Sequence, residues 1–112
     1  MGKFLTVTFP MSQTIDEQFE AGLNRYQAGE PVGTLIPTFK DLSTQAPKNS
    51  AIYTCLSWLY LLAEKPNAAY KAAQKAIKIT PQDPQAHINI AIAILDSGRK
   101  GVREHKIGRA HV

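Results

Sequence analysis

The sequence predicts an all-α chain of stacked antiparallel helix pairs, and three observations carry that prediction. Pro47 and Pro81 stand 34 residues apart, each followed by a turn-favouring Asn49 or Asp83 and then by an alanine, Ala51 or Ala86, that opens an apolar run. The same shift carries Tyr53 onto His87, Leu56 onto Ile90, Ser57 onto Ala91, Tyr60 onto Ile94 and Glu64 onto Gly98. Within a period the apolar residues step by three and four, which collects them on one helical face, and prolines punctuate the runs. A fixed period of this length describes units that bury their faces against one another rather than against a single closed core.

The first helix is expected to open beside Ser12, Gln13 and Thr14, with Gly22 and Gly29 near the equivalents of Ser57 and Glu64 after one extra residue. Its partner is expected to start near Gly33 or Thr34, which would put Pro37 in a first turn, where proline is tolerated. In the next pair, Tyr53, Leu56, Tyr60 and Ala63 share a face, and Pro66 stops that helix and begins the following turn. Ala69, Ala73 and Ala76 then form a small-residue stripe that allows close helix approach, with Tyr70, Ile77 and Ile79 beside it. Pro81 ends that helix after Thr80, because the residue before proline is pushed out of the helical region. Asp83 and Pro84 supply a cap and a first-turn proline for a last helix over residues 84–97, with Ser97 and Gly98 as its stop.

Together these positions resemble the tetratricopeptide repeat, a helix-turn-helix of the same length. The best copy spans residues 50–83, with Tyr53, Leu56, Ser57, Tyr60, Ala69, Ala73, Ala76 and Pro81 in the motif positions. It departs at Glu64, where the family usually has glycine, and at Ala73, where a larger aromatic is common. The copy before it, about residues 16–49, keeps Phe19, Gly22, Tyr26, Gly29, Phe39, Leu42 and Pro47, and the third, residues 84–105, is incomplete. The resemblance implies a right-handed α-solenoid of about two and a half repeats over residues 13–105. Residues 1–12 read as an N-terminal extension, expected to be disordered, with Met11 an alternative start. Residues 107–112 read as one frame of a short-read sequencing adapter, and residues 106–112 are expected to be a non-native or disordered tail.

The formal charge of +4 would ordinarily suggest a nucleic-acid or membrane partner, but residues 1–98 carry 8 basic and 8 acidic residues. The excess lies in Arg99, Lys100, Arg103, Lys106 and Arg109 against Glu104, so it belongs to the tail and not to the fold. Lys71, Lys75 and Lys78 step along one helix without interleaved aromatics, the pattern of a solvated face, and no nucleic-acid partner is expected. The longest apolar run, residues 52–63, falls well short of the roughly 20 needed to span a bilayer. A single cysteine, Cys55, can form no internal disulfide, which points to a reducing, cytoplasmic setting.

The same residues argue against catalysis. His87, His105 and His111 form no metal-ligand spacing, no nucleophile-base motif is present, and no glycine-rich phosphate loop occurs, so no enzyme activity, metal or cofactor is expected. His87 takes the place of Tyr53 and is expected to pack, while Cys55 reads as a small hydrophobe. In the resembled family the first helices line a groove for a partner's peptide or helix. That implies a groove of Thr54, Trp58, Leu61 and Leu62 in one repeat and Ile88, Ile92, Leu95 and Asp96 in the next, with Trp58 as the apolar anchor. An equally open reading packs that second apolar face on a neighbouring helix. Some family members clamp a chaperone's terminal carboxylate with basic groove residues; here the region offers Glu20, Asn24, Cys55 and Asn89, so that activity is not implied. The expected function is a non-catalytic protein-interaction module. The alternative is an assembly fragment that self-associates into a homo-oligomer through the apolar last helix, with Ile88, Ile90, Ile92, Ile94 and Leu95.

Overall fold

A computed structural model describes residues 13–109 and the side-chain surroundings of residues 13–98. The described residues are all-α: α1 (Ile15–Gln27), α2 (Val32–Gln45), α3 (Ser50–Leu62), α4 (Pro66–Ile79) and α5 (Pro84–Arg109). Each helix packs on the next in the chain, and α5 also reaches back to α3. The links between helices are a few residues long, which makes sequential neighbours antiparallel. The proposed extension over residues 1–12 and the last part of the proposed tail, residues 110–112, lie outside the described residues.

Local chemistry accounts for the helix ends. Thr14 opens α1 with a capping box: its hydroxyl accepts the Glu17 N–H at 3.1 Å while the Glu17 carboxylate accepts the Thr14 N–H at 2.9 Å. Gly29 closes the same helix at φ 92°, with its N–H donating to the Tyr26 carbonyl and the Glu30 N–H to the Arg25 carbonyl. The same closure recurs after α3, where the Glu64 N–H reaches the Leu61 carbonyl and the Lys65 N–H the Tyr60 carbonyl. Gly29 and Glu64 are therefore equivalent, and the side chain at Glu64 has to tolerate φ 61°. A left-handed residue other than glycine costs about 1–2 kcal/mol, part of which glycine gives back as unfolded-chain entropy. Glu64→Gly is expected to stabilise the protein by about 0.5–1 kcal/mol, read as a higher urea midpoint; a lower midpoint would contradict this account.

The second helix starts at Val32, so Pro37 falls in its second turn and not in the first-turn position expected for it. The missing Pro37 N–H deprives the Gly33 carbonyl of its helical partner. The helix persists because Leu35, Phe39 and Leu42 on its other side are fully buried. Arg25 ties the start of α2 back to α1, its Nε donating to Glu30 Oε1 at 2.8 Å and its Nη1 to Thr38 Oγ1 at 3.2 Å. Hydrogen bonds from Arg25 and Thr34 hold the Glu30 carboxyl down at about 2. That tether is at full strength above the ordinary carboxylate range and is lost as pH falls toward about 2.

The core is strung along the helix stack. Leu35, Phe39, Leu42, Ile52, Leu56 and Leu59 form its largest part, between α2 and α3. Around α4, the buried alanines Ala69, Ala72, Ala73 and Ala76 let α3 and α5 approach closely on its two sides. The Ser57 hydroxyl donates to the Ala69 carbonyl at 2.8 Å across this contact, which explains a small polar residue in a fully buried position. Asp83 caps α5 as expected, its Oδ1 accepting the Gln85 and Ala86 N–H groups at 3.0 and 3.2 Å.

Beyond Asp83 the structure departs from the expected repeat. α5 does not stop at Ser97 and Gly98 but continues to Arg109. A glycine inside a helix costs only about 1 kcal/mol, and Gly98 has nothing within 4 Å of where a Cβ would stand, so no packing partner forces a turn there. Ala86, Asn89 and Ala93 are buried against the preceding helices. On the side that α4 covers in α3, no described element covers α5. His87 consequently does not pack as Tyr53 does: it is exposed, its Nε2 donating to the Pro81 carbonyl at 2.7 Å.

Candidate functional site

Leu23 and Tyr26 on α1, Thr54, Cys55, Trp58 and Leu59 on α3, and Gln85 at the start of α5 surround an open cavity of about 330 Å³. Phe39 reaches it from α2. Helical spacing explains the convergence. Trp58 stands 35 residues after Leu23, the same displacement that relates Glu64 to Gly29, so both residues occupy one register position on successive first helices. Cys55 lies three residues before Trp58 and faces the same way.

The lining is mostly apolar, and hydrogen bonds engage its polar side chains, one pair within the wall and two reaching residues behind it. Trp58 Nε1 donates to the Tyr26 hydroxyl at 3.0 Å, which bridges α1 and α3 at the surface. Thr54 Oγ1 donates to Asp83 Oδ2 at 2.6 Å, and Gln85 Nε2 donates to Asn89 Oδ1 at 2.8 Å. Asn89 is fully buried and its own amide donates to the Thr54 carbonyl at 3.3 Å, so it joins α5 to α3 and offers nothing to a ligand. Burial pushes the Cys55 thiol up to about 11, with the Asp83 carboxylate adding to the shift. The thiol therefore stays protonated near neutral pH and is a poor nucleophile.

Of the groove residues expected from the sequence, Thr54 and Trp58 line the cavity. Leu61, expected on the groove, is buried instead with Ala69 and Ala93, where the turn of α3 toward α4 carries it inward. Ile92, at the register of Trp58 one period on, packs partly buried against that same cluster. Leu62 and Ile88 are exposed outside the cavity wall, at 44% and 51%. Leu95, at 64%, lies with Ile94 on the uncovered side of α5, and Asp96 is half-buried. Leu23, Tyr26, Leu59, Phe39 and Gln85 also line the cavity and are absent from the groove expected on sequence grounds. Aligning the first copy by 35 residues would have found Leu23; nothing in the sequence signals the Trp58–Tyr26 hydrogen bond.

No protein-family model, curated protein or solved structure matches the chain. Among the described residues, no group of three or more His, Cys, Asp or Glu side chains is placed to hold a metal ion. Among the same residues, no helix is long and apolar enough to cross a membrane.

Proposed function

We propose that the chain is a non-catalytic protein-interaction module, a right-handed α-solenoid of about two and a half tetratricopeptide-like repeats that binds a partner peptide or helix in the groove of its first helices. The supporting observation is the apolar cavity between α1, α3 and α5, open to solvent and flanked by the hydrogen-bonded Trp58 and Tyr26. Large aromatic side chains in a partly desolvated hollow are the usual energetic centre of such contacts. The mechanism is burial and shape, with no bond made or broken, and a cytoplasmic setting suits the lone Cys55.

A second reading, self-association, is favoured by one observation: Ile88, Ile94 and Leu95 on α5 are 51%, 55% and 64% exposed. A labelled, uncharged amphipathic helix of leucine and glutamine, followed by fluorescence anisotropy, separates the two. The groove reading expects Trp58→Ala to weaken this peptide by about 30-fold, as for an energetic centre of an interface. Binding that ignores Trp58→Ala, together with a scattering mass that grows with concentration and falls on Leu95→Lys, would transfer the assignment to the assembly reading.

A further inference from the structure

The groove's electrostatics add to the reading just proposed, on which this inference rests. The lysines of residues 13–98 are unevenly placed, and those of α5 begin only at Lys100. All six lysines in this range, Lys40, Lys48, Lys65, Lys71, Lys75 and Lys78, lie on α2, on α4 or in a loop, and none on α1, α3 or α5. The single arginine there, Arg25, is held by Glu30 and Thr38 at the junction of α1 with α2. Of the first helices, α3 carries no charged residue, and α1 carries Asp16, Glu17 and Glu20 beside Arg25. Asp16 and Glu20 are exposed and precede Leu23 by seven and three residues, which sets all three on one face of α1, with Leu23 in the cavity wall. Asp83 lies at the other side, its carboxylate hydrogen-bonded to the cavity residue Thr54 and close enough to bear on the Cys55 thiol.

We propose that the groove's occupant is a cationic amphipathic protein segment, which seats a large apolar side chain beside Leu23, Cys55 and Trp58 and sets lysine or arginine residues against Asp16, Glu20 and Asp83. An apolar anchor alone would leave these carboxylates facing a neutral surface, and an acidic segment would meet like charge at both rims of the cavity. The lysines of α4 point the same partner away from the opposite side of the stack. A nucleic acid fits poorly on such a groove, since its phosphates would face Asp16, Glu20 and Asp83.

The test uses the full chain and three labelled amphipathic helices that share a leucine face and differ only in carrying lysine, glutamine or glutamate on the other, with a leucine-free lysine and glutamine peptide as a fourth probe. The lysine form is expected to bind about tenfold or more tighter than the glutamine form, the glutamate form weakest, and the advantage to shrink with added salt. Glu20→Lys should erase most of that advantage, whereas Asp41→Lys, the same charge change on exposed α2, should leave it. Equal binding of the lysine and glutamine forms would overturn the cationic partner while leaving the groove reading intact. Equal losses from Glu20→Lys and Asp41→Lys, or tight binding of the leucine-free peptide, would reduce the effect to general charge attraction and likewise overturn it. Failure of all three leucine-bearing peptides would overturn the groove reading itself. Self-association abolished by Glu20→Lys would assign the groove to a second copy and overturn a separate partner.

Discussion

Phe39→Ala is expected to remove about 3–5 kcal/mol of folding stability, a large part of the roughly 5–15 kcal/mol that holds a domain together. Phe39 is 1% exposed, meets Phe19 edge to face at a centroid distance of 5.9 Å, and sits in the largest core cluster with Leu35, Leu42, Ile52, Leu56 and Leu59. It also forms part of the cavity wall, so its loss would enlarge a hollow that is already open. The residue that faces it is Gly22, where an added Cβ would stand 2.9 Å from the Phe39 ring. That contact gives the prediction a second, sharper form. Gly22→Ala alone should cost about 1–3 kcal/mol by overpacking, but in the Phe39→Ala background the same change should gain about 1 kcal/mol, because only the helix preference for alanine then remains. Urea unfolding of the four proteins followed by circular dichroism reads the cycle. Additive costs would show that the ring and the glycine are not coupled as the structure has them.

Ala69→Leu is expected to be comparably damaging, costing about 3 kcal/mol, the upper end of overpacking changes. Ala69 is fully buried against Leu61 of α3 and Ala93 of α5, so the added carbons would press on two helices at once. Its carbonyl also receives the Ser57 hydroxyl, and any shift of α4 that relieves the crowding lengthens that bond. The larger consequence falls on α5, whose described contacts are with α3 and α4. Leu61→Ala in the same chain frees about the volume that was added and should recover at least a third of the loss. A thermal melt of the single and double variants checks this, and Ala69→Leu melting within a degree or so of the parent would show that the alanine stripe is not a close approach.

Much of the architecture was legible because it is encoded locally. Proline positions, the Asp83 cap and the three-and-four spacing of Tyr53, Leu56 and Tyr60 act within a few residues, and the helices follow them. Pro37 shows where local reasoning stops. Read alone it argues for a later helix start, but the burial of Leu35, Phe39 and Leu42 outweighs one lost hydrogen bond, and α2 begins at Val32. The stop expected at Gly98 belongs to the same class, since glycine permits a turn without enforcing one.

The groove was legible only in part. Trp58 and Thr54, placed on the groove side by helical spacing and the resemblance, line the cavity, but Leu61, seven residues past Thr54 and on nearly the same face, is buried by what α4 and α5 bring against it. A helical wheel orders residues around an axis; it does not say which neighbours cover which arc. Asn89 makes the same point, since a polar residue that looked available in the sequence is spent on joining α5 to the Thr54 carbonyl.

By itself the sequence determined that the described residues are helical, and that the net charge of +4 resides in the last residues. Those properties depend on periodicity and on residue chemistry within a turn or two. Only the tertiary structure decided that Leu23, Tyr26, Phe39 and Trp58 line one cavity and that Asp83 hydrogen-bonds Thr54 in its wall. The physical reason is that a cavity is bounded by side chains from α1, α2, α3 and α5, and their separations are set by how closely small residues such as Gly22 and Ala69 let the helices approach.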